Sequence, residues 1–159
     1  MRASHLITLG LFALIGGCSH LRGGDRAEAM GWTLHATREE GVKLAYGQPN
    51  SDNVVVMLAC QPQSQNVRLS APAPAGAPPQ VTLVSRGERQ LLSGQLGPAG
   101  GAGGQQVEVA VPTNSKPLEG FASGGELSIV MGETSTKVNA DKKSRAAVST
   151  FFATCKAAA

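Results

Sequence analysis

Thiols, imidazoles and carboxylates are the groups in this 159-residue chain that could do chemistry, and their spacing narrows what that chemistry could be. The three cysteines are Cys18, Cys60 and Cys155, and a thiol can be acylated, bound to metal or paired with another thiol. The histidines are His5, His20 and His35, so His35 alone lies beyond the first thirty residues. A zinc site wants several His or Cys ligands at close spacing, and no C-x-x-C pair accompanies His35. Serines are plentiful, but no G-x-S-x-G elbow is present. The glycine run from Gly97 to Gly104 contains no lysine and precedes a strand pattern, so it lacks the form of a phosphate-binding loop. Glu39 and Glu40 fall in a turn, and Glu108, Glu126 and Glu133 fall on or near strands. Glycosidase-type chemistry needs two carboxylates facing across a cleft, and nothing in the spacing pairs these. The residues therefore assign no catalytic group, no metal site and no cofactor, and the expectation is a protein that is not an enzyme. A hydrolase using Glu108, Glu126 or His35 is the weakest of the alternatives.

Cys18 has the most distinctive surroundings. One positive charge at Arg2 precedes an apolar run from Leu6 to Ile15, and Gly16, Gly17 and Cys18 follow. This is the layout of a secretory signal. The run is shorter than the roughly 20 apolar residues that a membrane span needs. Ordinary signal cleavage wants small residues at the last and third-last positions, which Ile15 fits poorly. The segment Leu14-Ile15-Gly16-Gly17-Cys18 instead resembles the lipobox of bacterial lipoproteins: a branched aliphatic residue, two small residues, then cysteine. A plainly cleaved secreted protein is the alternative. The resemblance implies that residues 1–17 are removed and that Cys18 receives a diacylglyceryl group. It also implies that the new amino group is acylated, typically with palmitate. Several acyl chains on one residue make a stable anchor where a single chain binds only marginally. Ser19, not aspartate, follows the cysteine, and the resemblance then implies transfer to the outer membrane, facing the periplasm.

An exported chain with one lipidated cysteine keeps Cys60 and Cys155, and an even pair in an oxidising compartment reads as a disulfide. A redox pair is the competing reading, but neither cysteine has C-x-x-C spacing or a nearby histidine. The net charge of +3 is spread out, and Lys142, Lys143 and Arg145 form the one cluster, read as a solvated helix start. Nucleic-acid binding would want a basic stripe interleaved with aromatics, and the chain has six aromatic residues in all. No nucleic-acid partner is expected.

Residues 18–30 read as the lipidated cysteine with a polar tether, and residues 31–159 as a β-rich globular domain. Period-two alternation begins at Trp32, Leu34 and Ala36, turns through Arg38–Gly41, and resumes at Val42, Leu44 and Tyr46, as in a hairpin. Asn53–Cys60 is apolar at nearly every position, which predicts a central strand ending at Cys60. A strand is expected around Val67–Leu69, whereas Ala71–Pro79 is expected to be a surface loop because its prolines lack donors. Val81–Ser85 and Arg89–Ser93 flank a turn at Arg86-Gly87-Glu88, and Val107–Val111 and Leu127–Met131 alternate. Between them, Pro117–Ala122 predicts one helical turn with Leu118 and Phe121 inward.

The chain closes with a helix expected from Asp141 to Cys155, with Val148, Phe151, Phe152 and Cys155 on one face. That face carries Cys155 toward the strand end that carries Cys60. The expected fold is mainly β (α+β). It is a single antiparallel β-sandwich or partly open barrel of seven to nine strands, with one C-terminal helix packed on the sheet. The functional expectation is a membrane-anchored envelope lipoprotein with a non-catalytic protein-binding or structural role and an envelope protein as partner. A small apolar-ligand or lipid carrier and an inhibitor of an incoming hydrolase are the alternatives.

Overall fold

Alternating apolar side chains set the strands, and their pairing sorts them into two antiparallel sheets. The computed structural model describes residues 29–62, 64–99 and 104–156; Cys18, the expected signal and most of the expected tether lie outside the described residues. The first three strands form a meander: β1 (Gly31–Thr37), β2 (Gly41–Gly47) and β3 (Val54–Cys60). β4 (Asn66–Ala73) pairs with β3 on one side and with β8 (Gln105–Pro112) on the other, and β7 (Gln95–Pro98) closes the edge. The wide sheet has the order β1-β2-β3-β4-β8-β7, so β3 is internal as its apolar run predicts. The narrow sheet has the order β10-β9-β5-β6 and comprises β5 (Gln80–Ser85), β6 (Glu88–Ser93), β9 (Ser128–Met131) and β10 (Thr134–Lys137). Two helices complete the described residues, α1 (Lys116–Gly124) and α2 (Arg145–Lys156).

The inner faces of both sheets and both helices contribute to one hydrophobic cluster. Leu44, Leu58, Val67, Leu69, Val109 and Val111 enter it from the wide sheet, and Val81, Leu83, Ile129 and Met131 from the narrow one. α2 packs on the β1–β2 end of the wide sheet, while β5 and β6 approach it near β8. α1 touches both β5–β6 and α2, and so fills the gap between them.

Several expectations need correction. Ten strands, not seven to nine, occur among the described residues, and they form two sheets without closing into a barrel. Ala71–Pro79 is not wholly a loop: β4 continues through Pro72, which pairs with Gln106, and Ala71 is buried. The β3 ladder ends at Ser70, so Pro72 has a neighbour strand on one side only, the setting in which a strand tolerates proline. Gly97 and Pro98 belong to β7 rather than to the glycine loop, again at a sheet edge. The single turn expected at Pro117–Ala122 is a nine-residue helix, with Pro117 in its first turn, where a missing N–H costs nothing, and left-handed Gly125 closing it. α2 begins at Arg145 rather than Asp141. Residues 141–144 instead form a turn in which the Asp141 carboxylate accepts from the Lys143 and Ser144 amides at 3.1 and 2.8 Å and from the Ser144 hydroxyl.

Gly41 and Gly94 are among the glycines that close approach requires. Gly41 sits at φ 76°, and a Cβ there would come within 2.5 Å of the Cys60 carbonyl oxygen. Gly94 separates β6 from β7, and a Cβ there would meet the Glu108 carbonyl oxygen and Val109 Cγ1, both at 2.5 Å. At Gly94 one extended stretch of chain leaves the narrow sheet and joins the wide one.

Candidate functional site

The predicted cysteine pair is brought together. Cys60 ends β3 opposite Val42 of β2, and Cys155 lies on the buried face of α2 with Val148, Phe151 and Phe152. The two form a disulfide with Cα atoms 5.9 Å apart, joining positions separated by 95 residues. Both cysteines are buried, with Cys155 fully so. The helical i, i+3, i+4, i+7 spacing aims Cys155 and the two phenylalanines at the same surface of the wide sheet.

Beside the disulfide runs a chain of aromatic rings. Tyr46 and Trp32 have centroids 5.2 Å apart, as do Trp32 and Phe121; Phe121 and Phe152 are 6.0 Å apart, and Phe152 and Phe151 5.2 Å. The chain passes from β2 through β1 and α1 to α2. The Trp32 indole Nε1 donates to the Val138 carbonyl oxygen at 3.2 Å, tying the segment between β10 and α2 to the edge of β1. Aromatic burial and edge-on contact here serve packing.

The remaining candidates stand apart from one another. His35 is exposed on the outer face of β1 opposite Lys43, and Lys43 pairs with Glu40 at 3.0 Å. An open hollow beside His35 is lined by Thr33, Ala45, Gln48, Asp52 and Val54 among others. Glu108 is half-buried on the outer face of β8 and accepts from the Ser70 hydroxyl at 3.4 Å. Glu126 and Glu133 are exposed at opposite ends of β9. The carboxylates thus occupy different sheets and different ends, and the structure assembles no carboxylate pair from them. No group of three or more His, Cys, Asp or Glu residues among the described residues is placed to hold a metal ion. Lys142, Lys143 and Arg145 are exposed, and Asp141 beside them has its carboxyl held below the ordinary carboxylate value, chiefly by the Ser144 hydroxyl and amide. No helix among the described residues is long and apolar enough to cross a membrane.

One surface that the sequence does not announce emerges from the register of the narrow sheet. Val81, Leu83, Ile129 and Met131 point inward, so alternation turns Thr82, Val84, Ser128 and Val130 outward. Arg89 pairs with Val84 and Leu91 with Thr82; across the sheet, Lys137 pairs with Ser128 and Ser135 with Val130. Two rows therefore cross the outer face: Leu91–Thr82–Val130–Ser135 and Arg89–Val84–Ser128–Lys137. Leu91 is 65% exposed, the highest value for a large hydrophobic residue among the described residues. Arg89 and Lys137 are both exposed and make no ion pair with any described residue. The outward positions of these four strands include no carboxylate.

No protein-family model matches the chain, and neither a curated protein nor a solved structure shows a significant match.

Proposed function

We propose that this chain is a lipid-anchored envelope protein that works by presenting a surface to a partner, without catalysis. In this reading residues 1–17 are a signal, Cys18 carries the lipid and residues 19–30 are the tether. The described residues form a β-sandwich held at the periplasmic side of the outer membrane. The observation that carries the reading is the Cys60–Cys155 bridge. Such a bridge persists in an oxidising compartment, which supports export. It also accounts for two of the three cysteines, leaving Cys18 as the remaining thiol, inside the lipobox-like segment. The sandwich reading is supported by the single cluster that both inner sheet faces share. That cluster is filled by fully buried leucines, valines and phenylalanines, which favours action through the outer surface over a carrier with an internal ligand.

The test is made on cells producing the full chain. Intact mass should show a product beginning at Cys18 and carrying acyl chains, and Cys18→Ala should move the protein to the soluble fraction. A mature product with an unmodified Cys18, or a Cys18→Ala protein that stays with membranes, overturns the anchor. Crosslinking in intact cells should recover one specific envelope protein with the wild-type chain, whereas recovery of abundant bystanders alone overturns the partner.

A further inference from the structure

We propose that the outer face of the β10-β9-β5-β6 sheet is a contact surface for anionic phospholipid headgroups, which sets how the protein lies on its membrane. The composition of that face carries the inference. Arg89 and Lys137 stand at the two ends of one cross-strand row, on strands that are the opposite edges of the sheet. Three strand spacings of about 4.8 Å separate those edges, so the cations are on the order of 14 Å apart, a distance that spans neighbouring headgroups. Between and beside them lie Val84, Val130 and the protruding Leu91, with hydroxyl side chains and Gln80 filling the rest.

The outward strand positions carry no carboxylate: exposed Glu88 takes the inward register opposite Ser85, and exposed Glu126 and Glu133 lie beyond the two ends of β9, so Arg89 and Lys137 are the charges within the face and suit an anionic layer. Exposed Leu91 can enter the interfacial zone between headgroups while the two cations remain at phosphate level, the arrangement of interfacial peptides and snorkelling side chains. The wide sheet differs: its outward Lys43 is already paired with Glu40, and Glu108 lies among its outward residues. An acidic protein could satisfy the same charges. A lipid surface is favoured because the proposed anchor holds the body within reach of headgroups at high effective concentration. The inference rests on that reading in one respect: two cations and one leucine hold a tethered body, not a free one.

The experiment separates the two ideas by supplying the tether artificially. The full chain, as purified, is held on phosphatidylcholine vesicles containing nickel-chelating lipid through a C-terminal histidine tag, with or without phosphatidylglycerol. Intact mass of the same preparation reads Cys18 acylation independently. Trp32 is 5% exposed and gives a constant buried signal, so a second tryptophan reports position. In phosphatidylglycerol vesicles, Leu91→Trp should be quenched by brominated phospholipid about twofold or more beyond Thr33→Trp, which lies on the other sheet's outer face. High salt, or Arg89→Glu with Lys137→Glu, should remove the excess. Unchanged melting temperature and bridge mass show that the variants remain folded. Equal quenching at positions 91 and 33 overturns the proposal, as does excess quenching that survives charge reversal. Photocrosslinking from position 91 to a protein and not to lipid in intact cells also overturns it, in favour of an acidic partner.

Discussion

The wide and the narrow sheet bury similar aliphatic inner faces and differ in nearly everything else. The wide sheet is fastened: β3 is joined covalently to α2, the aromatic chain runs from β2 and β1 into both helices, and Trp32 holds the segment before α2. The narrow sheet is held by packing against α1 and β8 and by the chain crossing at Gly94. Their outer faces follow the same division. The wide sheet mixes charges of both signs, whereas the narrow sheet shows cations and aliphatics. One sheet is thus specialised for holding the fold, and the other is left free to vary on its outside.

That division predicts an order of effects. Replacing Cys60 and Cys155 together with serine opens a closed loop of 95-residue separation, and chain entropy puts the loss at about 4 to 5 kcal/mol. Urea unfolding should show it as a large drop in midpoint, reproduced in the wild type by reductant. A drop no greater than that of a surface substitution would mean that the wide sheet is not the fastened one. Phe121→Ala removes the ring between Trp32 and Phe152 at a fully buried position, with an expected cost of about 3 to 5 kcal/mol. Because α1 supports the narrow sheet, hydrogen exchange in β5 and β6 should rise more than in β3 and β4. An equal rise in both sheets would show them to be one cooperative unit. Leu91→Ser should change stability by less than about 0.5 kcal/mol, since the side chain is mostly in solvent. A clear loss of thermal stability there would assign Leu91 to the fold and not to contact.

Much of this was legible in the sequence where local pattern decides the outcome. Alternation placed β1, β2, β5, β8 and β9, and helical spacing put Cys155 on the same face as Phe151 and Phe152. What escaped depends on neighbours. Pro72 lies in a strand because pairing with β3 stops before it. β10, Thr-Ser-Thr-Lys, has no apolar alternation of its own and owes its strand to pairing with β9. The cysteine pair was readable because two local patterns pointed at one place. The face bearing Arg89, Val84, Ser128 and Lys137 was not, because two hairpins distant in sequence meet there only once the pairing of β5 with β9 is known.

The placement of the bridge has one more consequence. Cys60 and Cys155 bracket every element from β4 to β10. A protease that cuts any single loop between them produces two fragments that remain covalently joined. Under the anchor proposed above, a single nick would therefore release nothing: the severed half would stay attached to the strands that lead back toward the N-terminus.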